Sequence, residues 1–160
     1  MTQPLVIILM GSKSDAAHCD KIAAAARDYG LEVVQHIASA HKTPEHALGL
    51  LRQAEADPRP KVYITVAGRS NALSGFVDGA VSAPVIACPP PSEALGGADV
   101  FSSLRMPSGI APGVVLDPGN AALLAAKILG LGDAGVRAKV VAQQQAQMNR
   151  ILADDQELKP

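Results

Sequence analysis

The run Ser39-Ala40-His41-Lys42-Thr43-Pro44 places a titratable imidazole beside a cation, directly ahead of a helix start. Thr43 suits the cap of that helix and Pro44 its first position, where no N–H partner is needed. The preceding run Glu32–Ile37 has the pattern of a strand. His41 and Lys42 therefore fall on a strand-to-helix loop, where open α/β sheets hold their ligands. An imidazole there can give and take protons near neutral pH. A lysine beside a helix N-terminus can hold a phosphate.

A second candidate is Gly11-Ser12-Lys13-Ser14-Asp15. It lacks the spacing of a phosphate-binding P-loop. Its glycine, its hydroxyls and the helix start behind it still suit a phosphorylated ligand. Asp15 can accept hydrogen bonds from ribose hydroxyls. A plain turn with a capping residue would account for the same residues.

A third candidate, Gly68-Arg69-Ser70-Asn71-Ala72, follows a strand and opens a helix, as a nucleophile elbow does. An α/β-hydrolase needs its histidine after the serine, and all four histidines precede Ser70. The better expectation is a turn whose N–H groups and side chains hold an anionic group. His18 and His46 fall on helices and His36 in a strand, so all three read as structural. The histidines lack metal-ligand spacing with cysteine or carboxylate, so no metal is expected. Cys88, ahead of Pro89-Pro90-Pro91, reads as a buried strand end before a stiff loop rather than a reactive thiol. Arg105 either pairs with an anion or is merely exposed.

The elements that must position these groups are legible as alternating short apolar runs and longer helical segments. Strands are expected at Leu5–Met10, Glu32–Ile37, 61–67, 83–88 and 113–116. Helices are expected at 15–29, 44–56, 72–81, 120–129 and about 133–158. The last carries Val136, Val140, Met148, Ile151 and Leu152 near one face, with the run Gln143-Gln144-Gln145 solvated or facing a partner. Continuous apolar strands separated by helices imply a parallel sheet covered on both faces. Polar sequences follow each of the first four strands, and 102–109 precedes the fifth. They converge on one sheet edge, as a ligand site requires.

Composition narrows the function. A chain of 160 residues suggests one domain over 1–160, with no repeat or linker. Charge is balanced, with 14 basic and 15 acidic residues, and no basic patch points to nucleic acid. Two Tyr, two Phe and no Trp leave little for base stacking. Leu5–Met10 is too short for a signal or membrane segment, so no membrane partner is expected. Cys19 and Cys88 form neither a metal motif nor a disulfide framework, which suits a reducing cytoplasm. The core must be built from Ala, Val, Ile and Leu, and such small side chains hint at further burial against other subunits.

Taken together, Gly11-Ser12-Lys13-Ser14-Asp15, Ser39-Ala40-His41-Lys42-Thr43 and Arg105-Met106-Pro107-Ser108-Gly109 resemble the PurE family of purine biosynthesis. The likeness runs from about Leu5 to Lys127. It implies a three-layer α/β/α sandwich, flavodoxin-like or Rossmann-like, with a five-stranded parallel sheet and a long C-terminal helix. Class I members are mutases that move a carboxylate from N5 to C4 of carboxyaminoimidazole ribonucleotide. Class II members carboxylate 5-aminoimidazole ribonucleotide (AIR) directly with CO2, giving the 4-carboxy product (CAIR). The class I pattern has Arg after the histidine, where this chain has Lys42. Its loop reads Ala-Gly-Gly-Ala-Ala-His-Leu-Pro-Gly, where this chain has Arg69 for a glycine and Ala72 for the histidine. The resemblance therefore implies a class II AIR carboxylase, with the class I mutase as the alternative. A flavodoxin-like nucleotide-binding module without catalysis is more distant, and the scarcity of aromatics disfavours flavin.

The resemblance also implies roles. His41 is the general acid/base. Gly11, Ser12, Ser14 and Asp15 contact the nucleotide, with Asp15 on the ribose. Ser39 and Lys42 serve the phosphate end. Gly68, Arg69, Ser70 and Asn71 line the CO2 or carboxylate pocket, and Met106 belongs to the substrate site. No cofactor is implied. The assembly implied is a homo-octamer, with a tetramer left open, and sites at subunit boundaries.

Overall fold

The computed structural model describes residues 2–158. The elements follow in the order β1 (Leu5–Met10), α1 (Ala16–Asp28), β2 (Glu32–Ile37), α2 (Pro44–Glu55), β3 (Lys61–Val66), α3 (Ala72–Asp78), β4 (Val85–Ala87), β5 (Gly113–Val114), α4 (Pro118–Leu129) and α5 (Ala134–Glu157). All sheet pairings are parallel, in the order β2-β1-β3-β4-β5.

Alternation along β1 builds two cores. Val6, Ile8 and Met10 face the layer of α1, α4 and the start of α5, where Ile22, Ala26, Ala122, Ala125, Val136 and Val140 are buried. Leu5, Ile7 and Leu9 face α2 and α3, against Ala47, Leu51, Leu73 and Val77. This is the expected three-layer sandwich. Alanine stripes let α1 and α4 pack closely, while the large aliphatics each contribute about 1.5–3 kcal/mol of burial.

Register fixes the site edge. Leu5 pairs with both Glu32 and Lys61, so Met10, Ile37 and Val66 end level. The chain leaves β1 toward opposite neighbours on its two sides, which makes the β1/β3 boundary the topological switch point.

Several boundaries differ from expectation. β4 and β5 are shorter than 83–88 and 113–116. α3 ends at Asp78 rather than residue 81: Gly79 is the C-cap, and the Ala80 amide donates back to the Val77 carbonyl at 2.9 Å in a tighter closing turn. α4 starts two residues early: Asp117 Oδ1 accepts from the Asn120 amide at 2.8 Å, and Pro118 fills the first position. An irregular helical segment at Ala94–Ser103 was not expected, and Leu95, Gly96 and Gly97 have left-handed backbone within it. On α5 only Val136 and Val140 are buried, whereas Met148, Ile151 and Leu152 are exposed. In the glutamine run Gln144 and Gln145 are exposed, while Gln143 is half-buried and its Oε1 accepts from the Tyr29 hydroxyl.

Candidate active site

Three loops leave the level ends of β1, β2 and β3 and enclose a cavity of about 450 Å³. Its walls include Gly11, Ser12, Ser14 and Asp15 from the first loop, Ser39, Ala40, His41 and Lys42 from the second, and Gly68, Arg69 and Ser70 from the third. Pro90, Pro91, Ser92 and Asp99 close the fourth side.

In the first loop the Gly11 amide donates to the Val66 carbonyl at 2.9 Å, extending the strand pairing. A Cβ at Gly11 would stand 3.4 Å from the Ala67 Cβ, an ordinary contact, so the strand pairing alone does not demand a glycine here. The Ser12 Oγ accepts from the Ser14 amide at 3.3 Å and from the Ser14 hydroxyl at 3.0 Å. Asp15 stands at the N-cap of α1, yet its carboxylate makes no capping bond. It therefore lines the cavity with its acceptor capacity unspent on the helix.

The second loop is a closed ring. The Thr43 amide donates to the Ser39 carbonyl at 2.9 Å, and the Ser39 amide donates to Thr43 Oγ1 at 3.0 Å. The Lys42 amide donates to Ser39 Oγ at 3.2 Å. Thr43 thus occupies the N-cap position of α2, but its hydroxyl serves the loop and makes no helix-capping bond, contrary to expectation. Pro44 does fill the first helical turn. His41 and Lys42 are exposed at the apex, on the cavity.

In the third loop Arg69 has φ 60°. Its amide donates to Asp99 Oδ2 at 3.1 Å, and the Asn71 amide donates to Ser102 Oγ at 3.0 Å. These two N–H groups are consumed inside the protein. The donors left for an anion are the amides of Gly68 and Ser70, which make no hydrogen bond among the described residues, and side chains such as the Arg69 guanidinium, which makes no ion pair among them.

Two expected residues do not line this cavity. Asn71 is buried; its Oδ1 accepts from the Ser74 amide at 3.4 Å and its Nδ2 donates to Ser103 Oγ at 2.9 Å, so the side chain caps α3. Met106 lies on α3, its Sδ 3.0 Å from where a Gly75 Cβ would stand. The segment after it is drawn to that helix by the Ala111 amide donating to Asp78 Oδ2 at 2.8 Å. Arg105 is exposed. Asp99 was missed, because nothing in its sequence surroundings marks it; only the fold brings it to residue 69.

A larger cavity of about 770 Å³ shares the wall of Gly68, Arg69, Pro90, Pro91, Ser92 and Asp99 and extends past His18, Lys21, Leu116 and Asp117. In it His18 Nε2 lies 3.4 Å from Cys88 Sγ. Burial, then Lys21, lowers the His18 pKa, and burial, then Asp117, pushes the Cys88 thiol up to about 12. The pair is a neutral imidazole and a thiol, so Cys88 is no nucleophile. Among the described residues no cluster of three or more histidine, cysteine or carboxylate groups is placed to hold a metal ion, and no helix is long and apolar enough to cross a membrane.

Comparison with known proteins finds relatives over nearly the whole chain. The phosphoribosylaminoimidazole carboxylase of Treponema denticola is 55% identical over 98% of this chain and 99% of its own length. That of Archaeoglobus fulgidus is 54% identical over 96% of this chain and 84% of its own. The crystal structure of Treponema denticola PurE superposes with a TM-score of 0.97, covering 99% of this chain and 100% of that one. The AIR carboxylase family model matches residues 5–150, so the chain belongs to the AIR carboxylase (PurE) family.

Proposed function

We propose that this chain, as a single catalytic domain over 1–160, carboxylates AIR with free CO2 in purine biosynthesis, without ATP. The observation that carries the CO2-using reading is Ala72. It lines the smaller cavity at the position where the class I pattern has its second histidine, and Arg69 replaces a glycine on the same wall. One histidine, His41, is left in that cavity to move protons.

The chemistry needs no cofactor. The amino group of AIR makes C4 of the ring an enamine carbon. C4 attacks the CO2 carbon, the C4–C bond forms, and one C=O pair moves to oxygen as the carboxylate. C4 is then tetrahedral and still carries its proton. His41 takes that proton and its electron pair returns to the ring, restoring aromaticity. In reverse, the imidazolium protonates C4 and CO2 leaves. CO2 binds weakly, so confinement against C4 supplies much of the rate. The Arg69 guanidinium and the Ser70 hydroxyl stabilise the developing carboxylate. Ser12 and Asp15 hold the nucleotide, Asp15 through the ribose, and Ser39 and Lys42 hold its phosphate.

The working form is a homo-oligomer, an octamer, in the cytoplasm. The exposed apolar side chains Val141, Met148, Ile151 and Leu158 recur on one stripe of α5 and support assembly through that helix.

The test is an ATP-free assay of pure protein with AIR and CO2/bicarbonate, set beside the N5-carboxylated nucleotide at low CO2. CO2-dependent formation of CAIR, with no use of the N5 form beyond its spontaneous breakdown, is expected. Direct conversion of the N5 form without free CO2 would make the chain a mutase.

A further inference from the structure

Arg69 is one of two non-glycine residues with left-handed backbone among those described. Such a conformation persists only where the surroundings over-determine it. Here the constraint comes from a segment about thirty residues further along the chain. The Arg69 amide donates to Asp99 Oδ2 at 3.1 Å. The Ser102 hydroxyl lies 3.0 Å from the Arg69 carbonyl and 2.8 Å from the Asp99 carbonyl. The same oxygen accepts from the Asn71 amide at 3.0 Å. Ser103 Oγ, two per cent exposed as a residue, accepts from Asn71 Nδ2 at 2.9 Å. The Arg69 amide is therefore held, the Arg69 carbonyl shares the Ser102 proton with that of Asp99, and Asn71 is held at its backbone and its side chain.

We propose that Ser102 is a positioning residue for the reaction, acting with Asp99 as a clamp that sets the backbone of residue 69 and so aims its guanidinium into the site. The assignment rests on the reading of the 68–71 loop as the carboxyl-handling wall. A hydroxyl has one proton and two lone pairs. Ser102 therefore donates to one of its two carbonyls at a time and always has an acceptor left for Asn71. Alanine removes the donor and the acceptor together, whereas threonine keeps both. The clamp touches neither the 11–15 loop nor the 39–43 loop, so its loss falls on the carboxyl end and leaves the nucleotide ends in place.

Hydrogen exchange of the Arg69 and Asn71 amides reads the clamp directly, and steady-state kinetics read its use. In Ser102→Ala both amides should exchange at least tenfold faster. The kcat for AIR should fall about tenfold and half-saturation by CO2 should rise, with the KM for AIR within twofold of wild type. Ser102→Thr should restore both readouts. Unchanged exchange in Ser102→Ala would overturn the clamp whatever the activity. Faster exchange with wild-type kcat and CO2 dependence, or a KM for AIR that rises in step with the loss of kcat, would overturn its role in positioning. Absence of AIR turnover in the wild-type protein is the separate result that overturns the functional reading, and this assignment with it.

Discussion

Ser39 and Thr43 close the histidine loop on itself, each residue donating its backbone amide to an oxygen of the other, at 3.0 and 2.9 Å. The ring leaves His41 at its apex with little backbone freedom. Thr43→Val keeps the shape and removes the hydroxyl, so the Ser39 amide loses its acceptor. The net stability loss should be small, about 0.5–1.5 kcal/mol. The catalytic loss should be larger, about tenfold or more in kcat, because a misplaced acid/base is costly. Thr43→Ser should recover most of it. Equal effects of Val and Ser on kcat would show that the ring does not position His41.

The three loops that build the site were legible because each follows a short strand rich in apolar and β-branched residues, unbroken in Leu5–Met10 and interrupted by Gln35 and His36 in Glu32–Ile37, and runs into a helix. Pro44 and Gly30 mark such limits in the sequence, and the level register of β1, β2 and β3 then forces the loops together. Three features were not legible. Thr43 looked like a helix cap, because sequence cannot tell a hydroxyl that bonds forward into a helix from one that bonds back to residue 39. Asp99 and Ser102 act over a separation of about thirty residues, with no periodicity to reveal it. Met106 carries a recognisable motif, but the motif does not say that Asp78 pulls its segment onto α3.

His41 and Lys42 are neighbours with different work. His41→Asn should lower kcat by about 10²–10⁴, the range for a lost general acid/base, while nucleotide binding measured by calorimetry stays within threefold. Lys42→Ala should instead raise the KM for AIR about tenfold, with kcat changed little. A His41→Asn enzyme with near-normal turnover, or a Lys42→Ala enzyme with unchanged KM, would reverse these roles.

The outer half of α5 bears on assembly. Ile151 is 68% exposed and lies one helical turn from Met148, at 51%. Burying both against another subunit would contribute several kcal/mol per contact, at about 1.5–3 kcal/mol for each side chain. Ile151→Asp should therefore shift the protein to smaller species in sedimentation velocity and lower activity in a concentration-dependent way. Circular dichroism should change little, because the side chain is mostly exposed in its own chain. An unaltered sedimentation profile would remove α5 from the interface.

His18 gives the fold a dependence on mild acid. Burial, with Lys21 nearby, holds its pKa below the ordinary value of 6.5, and burial does the same for His36, with His46 beside it. Above pH 6.5 both histidines are neutral folded and unfolded, so their contribution is complete. As pH falls below that value the unfolded chain takes up protons first, and stability is lost until the lowered folded value is passed. Urea midpoints should therefore decline between pH 7 and pH 5. His18→Gln should flatten that decline whatever it does to the midpoint at pH 7, since losing the contact with Cys88 shifts the whole curve without tilting it. His36→Gln in the same background should flatten it further. A slope identical to wild type in His18→Gln would mean that His18 takes up its proton at the same pH in the folded and unfolded chain, and burial would then not lower its pKa.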